Sequence, residues 1–292
     1  MIRVDAEVQP QLRTYFAMFR LAFSLAAAGG FACGTPSAGG PHAQSPERQA
    51  EAQYDLAREY FYKGNPRAAL DHALSAVSLD DTNVKALYFT SLVYLSFCSG
   101  GSDEEGLASA DCKMDKAELY ARKTLERDPH FRDARNDLGN IMILEGKYAE
   151  AITTLQPLVQ DPSYNASHLA WGNLGWAQVK AGRIDDAIAS LRNAVTQPKF
   201  CVGFYRLGVA YEKKGDLANA EQSFTSALQV DSPDCQNLQD AWRARGEVRF
   251  KLGHTGEACG DVGKCHDLSG TTQAGKVCGE LLKACPAKGV TS

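Results

Sequence analysis

Small and apolar residues recur along this chain at helical spacing, and a glycine interrupts them at regular intervals. Gly64, Gly146, Gly182, Gly215 and Gly253 are each followed five residues later by an alanine: Ala69, Ala151, Ala187, Ala220 and Ala258. Ahead of the glycine lies one apolar stripe, such as Leu56, Ala57 and Tyr60 before Gly64, or Phe204, Leu207, Gly208 and Tyr211 before Gly215. Behind it lies a second, such as Ala69, Ala76 and Leu79, or Ala220, Phe224 and Ala227. Apolar positions three and four apart mark one face of a helix. Glycine favours the left-handed step that ends a helix, and small residues are needed where two helices cross closely. The pattern therefore predicts a series of helix pairs with a period of about 34 residues.

Placing the glycine at position 15 of such a period sets the register. Repeats are expected over about 50–83, 84–131, 132–167, 168–200, 201–234 and 239–268, six in all. Leu138/Gly139, Trp171/Leu174/Gly175 and Trp242/Gly246 stand at equivalent places. The second repeat has lost its glycine. It keeps Ser91, Tyr94, Ala117, Leu125 and Pro129, with about 14 extra residues between its helices. A small residue mid-way in the first helix, a glycine at the turn and an alanine early in the second resemble the tetratricopeptide signature. That resemblance implies an all-α fold, a tetratricopeptide superhelical solenoid of six helix pairs, here closed by a C-terminal capping helix.

The N-terminus points to export. Phe19 to Phe31 is apolar apart from Arg20, Ser24 and glycines, has basic residues at Arg13 and Arg20 at its N-terminal side, and spans thirteen residues, the length of a secretory h-region and too short for a membrane-spanning helix. Gly30-Phe31-Ala32-Cys33 resembles a lipobox, an imperfect one because Leu is usual at Gly30 and a small residue at Phe31. The expectation is a signal peptide over 1–32, with Met18 as an alternative start, and lipidation at Cys33. An ordinary cleaved signal and a cytosolic apolar tail are the competing readings. Residues 33–48, rich in Gly, Pro, Ser and Ala, read as a lipidated flexible tether spanning roughly 20 Å. Gly34 is not the Asp that marks inner-membrane retention, so the resemblance implies the outer membrane, periplasmic face. A formal charge of −4 offers neither nucleic acid nor an anionic membrane a basic partner.

Cysteine usage agrees with an oxidising compartment, because setting Cys33 aside from nine leaves an even eight. Cys98 and Cys112 flank the insertion in the second repeat. Cys201 and Cys235 lie one repeat apart. An antiparallel pair centred on Ser269-Gly270 would set Cys265 against Cys278 and Cys259 against Cys285, locking a capping helix from Thr272 to Ala284 within a unit spanning 270–285. Residues 286–292 read as a disordered tail. Sequence alone leaves the connectivity open, and zinc beside His266 competes, although the spacings lack paired knuckles.

No phosphate-binding loop, nucleophile elbow or metal-binding helix motif occurs, so no catalytic residue, metal site or cofactor is expected. His72 and His254 read as packed or solvated residues. Asp185/Asp186 sit at a helix N-terminus, and Glu104/Glu105 in the insertion. Binding is what the architecture offers. The first helices of such a solenoid line its concave face, which assigns to a partner groove Tyr54, Arg58 and Phe61, then Tyr88, Leu92 and Leu95. Asn136, Asn140 and Ile143 follow, then Trp176 and Val179, then Tyr205 and Val209. Apolar residues not needed for packing form a candidate interface, and Asn136 with Asn140 form a candidate clamp for an extended backbone.

The runs Asn136-Asp-Leu-Gly-Asn140, Gly146-Lys-Tyr-Ala-Glu-Ala151, Asp161-Pro-Ser-Tyr164 and Asn173-Leu-Gly-Trp176 resemble the type IV pilus pilotin family (PilF, PilW and, in gliding bacteria, Tgl). The similarity covers about residues 50 to 234. It implies an outer-membrane lipoprotein, monomeric before binding, that binds secretin subunits and promotes their assembly into the pilus pore. The cysteine-rich cap and the insertion depart from the shorter pilotins and fit the gliding-bacterial branch better. A scaffold of another envelope complex and a soluble periplasmic chaperone are the alternative functions.

Overall fold

The computed structural model describes residues 45–98 and 112–286. These residues form fourteen helices, with no strand among them. Twelve make six antiparallel pairs: α1 (Pro46–Tyr62) with α2 (Pro66–Leu79), α3 (Val84–Ser96) with α4 (Met114–Arg127), α5 (Arg132–Leu144) with α6 (Tyr148–Val159), α7 (Ser167–Lys180) with α8 (Ile184–Ala194), α9 (Cys201–Lys214) with α10 (Leu217–Gln229), and α12 (Gln239–Leu252) with α13 (Thr255–Leu268). A single turn, α11 (Pro233–Gln236), leads into the sixth pair, and α14 (Gln273–Leu282) packs against α13.

The glycine turns share one construction. Gly64, Gly146, Gly182, Gly215 and Gly253 all have φ between 76° and 85°, a region that costs a side chain dearly. The next residue's N–H then reaches back to the carbonyl five before the glycine's successor, as in Asn65 N to Tyr60 O and Asp216 N to Tyr211 O, both 2.9 Å. This satisfies carbonyls that the helix end would orphan. Asn65 and Asp216 also cap the second helix, accepting from the N–H groups of Ala68 and Asn219.

Within a pair the crossing is tight because a small residue faces a large one. A Cβ at Gly139, Gly175 or Gly208 would lie 2.5 Å from Leu155, Leu191 or Phe224, and at Gly246 2.7 Å from Val262. The first repeat holds Ala57 and Ala73 at the same register positions. Its helices bury only alanines: Ala50, Ala57, Ala69, Ala73 and Ala76. The main apolar core runs from Leu95 to Val248, and a smaller cluster of Val262, Cys265 and Cys278 joins Trp242, Leu281 and Leu282 under the cap.

Disulfides join Cys98 to Cys112, Cys201 to Cys235, Cys259 to Cys285 and Cys265 to Cys278, with Cα–Cα distances of 4.6, 5.8, 5.8 and 6.1 Å. They are the pairs expected from the insertion, the repeat spacing and the fold-back at Ser269-Gly270. Polar contacts seat the cap as well: Gln239 Nε2 donates to the carbonyls of Cys265 and Ser269, and Thr272 Oγ1 donates to Gln239 Oε1.

Two local expectations change. The first helix begins at Pro46 rather than about residue 50, with the Ser45 hydroxyl accepting from Arg48 N; a serine followed by proline is an N-terminal signal that the Pro-rich composition masks. Leu56, expected to pack, is 37% exposed, because among the described residues no earlier repeat covers that side of α1. The signal peptide, Cys33 and the insertion's residues 99–111 lie outside the described residues, as does the tail beyond residue 286.

Candidate partner-binding face

Successive first helices lie side by side, α1 by α3, α5 by α7, and α9 between α7 and α12. Along them the character changes from aromatic to polar. At the N-terminal end, Phe89 of α3 receives Tyr54 and Phe61 of α1 edge-on, with ring centroids 5.8 and 5.5 Å away. The Arg58 guanidinium lies over Tyr54 and Tyr62 and pairs with Asp55 at 3.7 Å. Tyr54, Arg58, Phe61, Phe89 and Leu92 are all half-buried. Burial raises the Tyr54 phenol above its ordinary value.

Further along, polar side chains join hand to hand. Tyr88 OH donates to Asp137 Oδ2 at 2.6 Å. Asn136 Nδ2 reaches Asp137 Oδ1 at 3.4 Å, Asn173 Nδ2 donates to Asn136 Oδ1 at 3.1 Å, and Arg206 Nη1 donates to Asn173 Oδ1 at 2.9 Å. The ladder crosses four repeats, from α3 through α5 and α7 to α9. Arg206 is 1% exposed, and its guanidinium lies 5.6 Å from the Trp176 ring, which Lys180 approaches at 4.5 Å. Burial of a cation and a carboxylate is tolerated when each is hydrogen-bonded.

The tetratricopeptide-repeat family profile matches residues 113–166, 146–200 and 173–234. Among solved structures, the chain superposes on PilW, a widely conserved type IV pilus biogenesis factor, with a TM-score of 0.64 at 20% identity, covering 78% of this chain and 97% of that one. PilF of Pseudomonas aeruginosa gives a TM-score of 0.61 at 14% identity, covering 80% and 98%. The Hsp70-Hsp90 organising protein of Plasmodium falciparum is 33% identical over 107 residues, which is 36% of this chain and 41% of that protein. The match to its counterpart from isolate 3D7 spans 18% of that sequence, so the chain covers less than half of these relatives. The fold is a tetratricopeptide solenoid.

In tetratricopeptide register the ladder has a simple address. Asp137, Asn173 and Arg206 all stand at motif position 6 of successive repeats, a recurrence of polar residues in otherwise apolar stripes that sequence reading passed over. It also changes the groove. Tyr88, Leu95, Asn136, Asn140, Ile143, Trp176, Val179 and Tyr205, expected to line an open surface, are buried within the chain. Across neighbouring first helices, Asn173 of α7 bonds Asn136 of α5, and Arg206 of α9 lies over Trp176 of α7. Tyr205 lies 5.9 Å from Phe224 between ring centroids, and Tyr88 packs on Phe131 at 4.8 Å. Asn136 is spent in the ladder. Tyr54, Arg58, Phe61 and Leu92, with Val209, keep partial exposure, and Phe89 joins them.

One set of side chains among the described residues has metal-ligand geometry. Glu221, His254 and Glu257 bring ligand atoms within 4.8 Å of one another. Arg249 already holds this cluster, pairing with Glu221 at 2.7 Å, Glu257 at 3.3 Å and Asp261 at 2.9 Å. It serves as an ion-pair network beside Arg245, whose guanidinium grips Asp261 with two bonds. No described helix is long and apolar enough to cross a membrane.

Proposed function

We propose that this solenoid is a non-enzymatic lipoprotein of the outer membrane's periplasmic face. In this reading it binds secretin subunits and promotes their multimerisation for type IV pili. The observation that carries the proposal is the half-buried aromatic end of the concave face, Tyr54, Phe61, Phe89 and Leu92 beside Arg58. It is a half-buried aromatic cluster in a fold whose likeness to two pilus biogenesis factors runs over nearly their whole length. Apolar surface of this kind is held for a partner. Lipidated Cys33 would confine the solenoid to the membrane surface, and confinement raises the effective concentration of captured protomers, favouring rings without any covalent chemistry.

The test is a pull-down from envelope extracts with the full chain, combined with the variant Tyr54→Ala/Leu92→Ala. Recovery of secretin by the wild type, with loss of heat-resistant secretin multimers in the variant at unchanged levels of this protein, is the expected result. Normal multimers in the variant would refute the groove, and recovery of a different envelope protein would refute the secretin assignment.

A further inference from the structure

The joint between the second and third repeats is built unlike the others. Successive first helices pack on one another elsewhere, α1 on α3, α5 on α7, α7 on α9 and α9 on α12, whereas the second and third repeats pack backbone to backbone through α4 and α5. That α4–α5 contact is itself slighter than the equivalent helix contact at any other joint. The main apolar core crosses here through Leu95, Ala117 and Ala121, while Leu87 and Val93 of α3, although buried, stand outside it. Polar contacts complete the joint. Tyr88 OH donates to Asp137 Oδ2 at 2.6 Å on the concave side, and at the α5–α6 turn Lys147 Nζ meets Glu118 Oε2 at 2.6 Å. Among the described residues no disulfide spans this joint, whereas Cys201–Cys235 ties the fifth repeat to the run leading into the sixth.

Each side of the joint has ties of its own. The first two repeats share the cluster of Tyr54 and Phe61 on Phe89, the Lys85–Glu51 pair at 3.7 Å and the Arg127–Asp81 pair at 3.4 Å. The third to the sixth share the continuous core, and the ladder from Asn136 through Asn173 to Arg206 joins three of them. Units of a solenoid rest only on their neighbours, so bending concentrates where one contact is narrowest. We propose that the α4–α5 contact is a hinge, latched on the concave side by Tyr88 and Asp137. The first two repeats swing about it as one body, and the aromatic cluster thereby moves toward or away from the part of the ladder on α5, α7 and α9. The inference concerns the fold itself and holds whatever client the groove takes.

Double electron–electron resonance tests this on the full chain, with Cys33→Ser so that only introduced thiols are labelled and with the four disulfides left oxidised. Asp71→Cys/Asn193→Cys places labels on α2 and α8, three repeats apart across the hinge. Gln156→Cys/Lys264→Cys places them on α6 and α13, three repeats apart on one side of it. All four positions are exposed. The first distance distribution should be roughly twofold wider than the second. Tyr88→Phe, which removes the latch and keeps the ring, should widen the first further and leave the second unchanged; circular dichroism checks the fold. Equal widths for the two pairs overturn the hinge, and that comparison stands without the variant. A wide first distribution that Tyr88→Phe leaves unchanged also overturns the proposal, because the motion would then lie away from the latched joint.

Discussion

The Tyr88 hydroxyl lies 2.6 Å from Asp137 Oδ2 and is the hydrogen bond that ties the second repeat to the third on the concave side. At this joint the backbone packing runs through α4 and α5, and Tyr88 also packs on Phe131, the residue before α5, at a tilt. Tyr88→Phe should lower stability by about 1–2 kcal/mol and move the Asp137 carboxyl above about 6, since the lost bond is one that lowers it. Urea melts and a carboxyl-carbon NMR titration read the two effects separately.

Asp137 also sets a pH dependence. Its carboxyl is raised in the folded chain from 3.8 to about 6, so folding favours the proton. The associated stability is complete below about pH 4 and is lost as pH rises through about 6. Asp137→Asn should therefore be more stable than the wild type at pH 7.5 by about 1–3 kcal/mol, with the difference vanishing near pH 4. A wild type that is equally or more stable at pH 7.5 would contradict the burial argument.

Helix crossing makes a sharper demand. A methyl group at Gly208 would lie 2.5 Å from the Phe224 ring, itself fully buried. Gly208→Ala should cost about 1–3 kcal/mol through overpacking, and Gly208→Ala/Phe224→Leu should recover part of it. Thermal melts of the two single variants and the double variant give the coupling directly.

The last repeat stands on an ion network. Asp261 receives both Arg245 and Arg249, so Asp261→Ala leaves two guanidinium groups without their shared carboxylate. The expected loss is about 3–5 kcal/mol. Glu257→Ala, whose carboxylate is 64% exposed, should change stability little.

The cap is held covalently. Cys265→Ser/Cys278→Ser opens a thirteen-residue separation and should cost about 3 kcal/mol on the chain-entropy account. Amide exchange should then accelerate in α13 and α14 before the rest. Uniform acceleration across the solenoid would show that the cap is not a local unit.

Much of the architecture was legible because each repeat reports the same steric need. Only glycine meets φ near 80° at the turns, and only a small residue fits against Leu155, Leu191 or Phe224. The fold-back cysteines were legible because a turn at Ser269-Gly270 fixes which positions face each other. Exposure was not legible. Motif positions identify the side of a helix but not what packs on it: Trp176, Tyr205 and Asn136 read as open, yet they are buried, Trp176 under Arg206, Tyr205 beside Phe224 and Asn136 against Asn173. The ladder escaped because each member looks ordinary alone. Only the recurrence of Asp137, Asn173 and Arg206 at one motif position signals that they meet.

The disulfides fall unevenly along the stack. Cys201–Cys235 ties the fifth repeat to the run leading into the sixth, and two more bind the sixth to the cap, whereas the first repeat is held by alanines and half-buried aromatic rings. In a chain whose units lean only on their neighbours, such an imbalance gives unfolding a direction. Under force or protease the molecule should peel from Pro46 inward and stop at a C-terminal block that reduction alone releases. The groove's aromatic end thus sits on the part of the solenoid best able to reshape around what it holds.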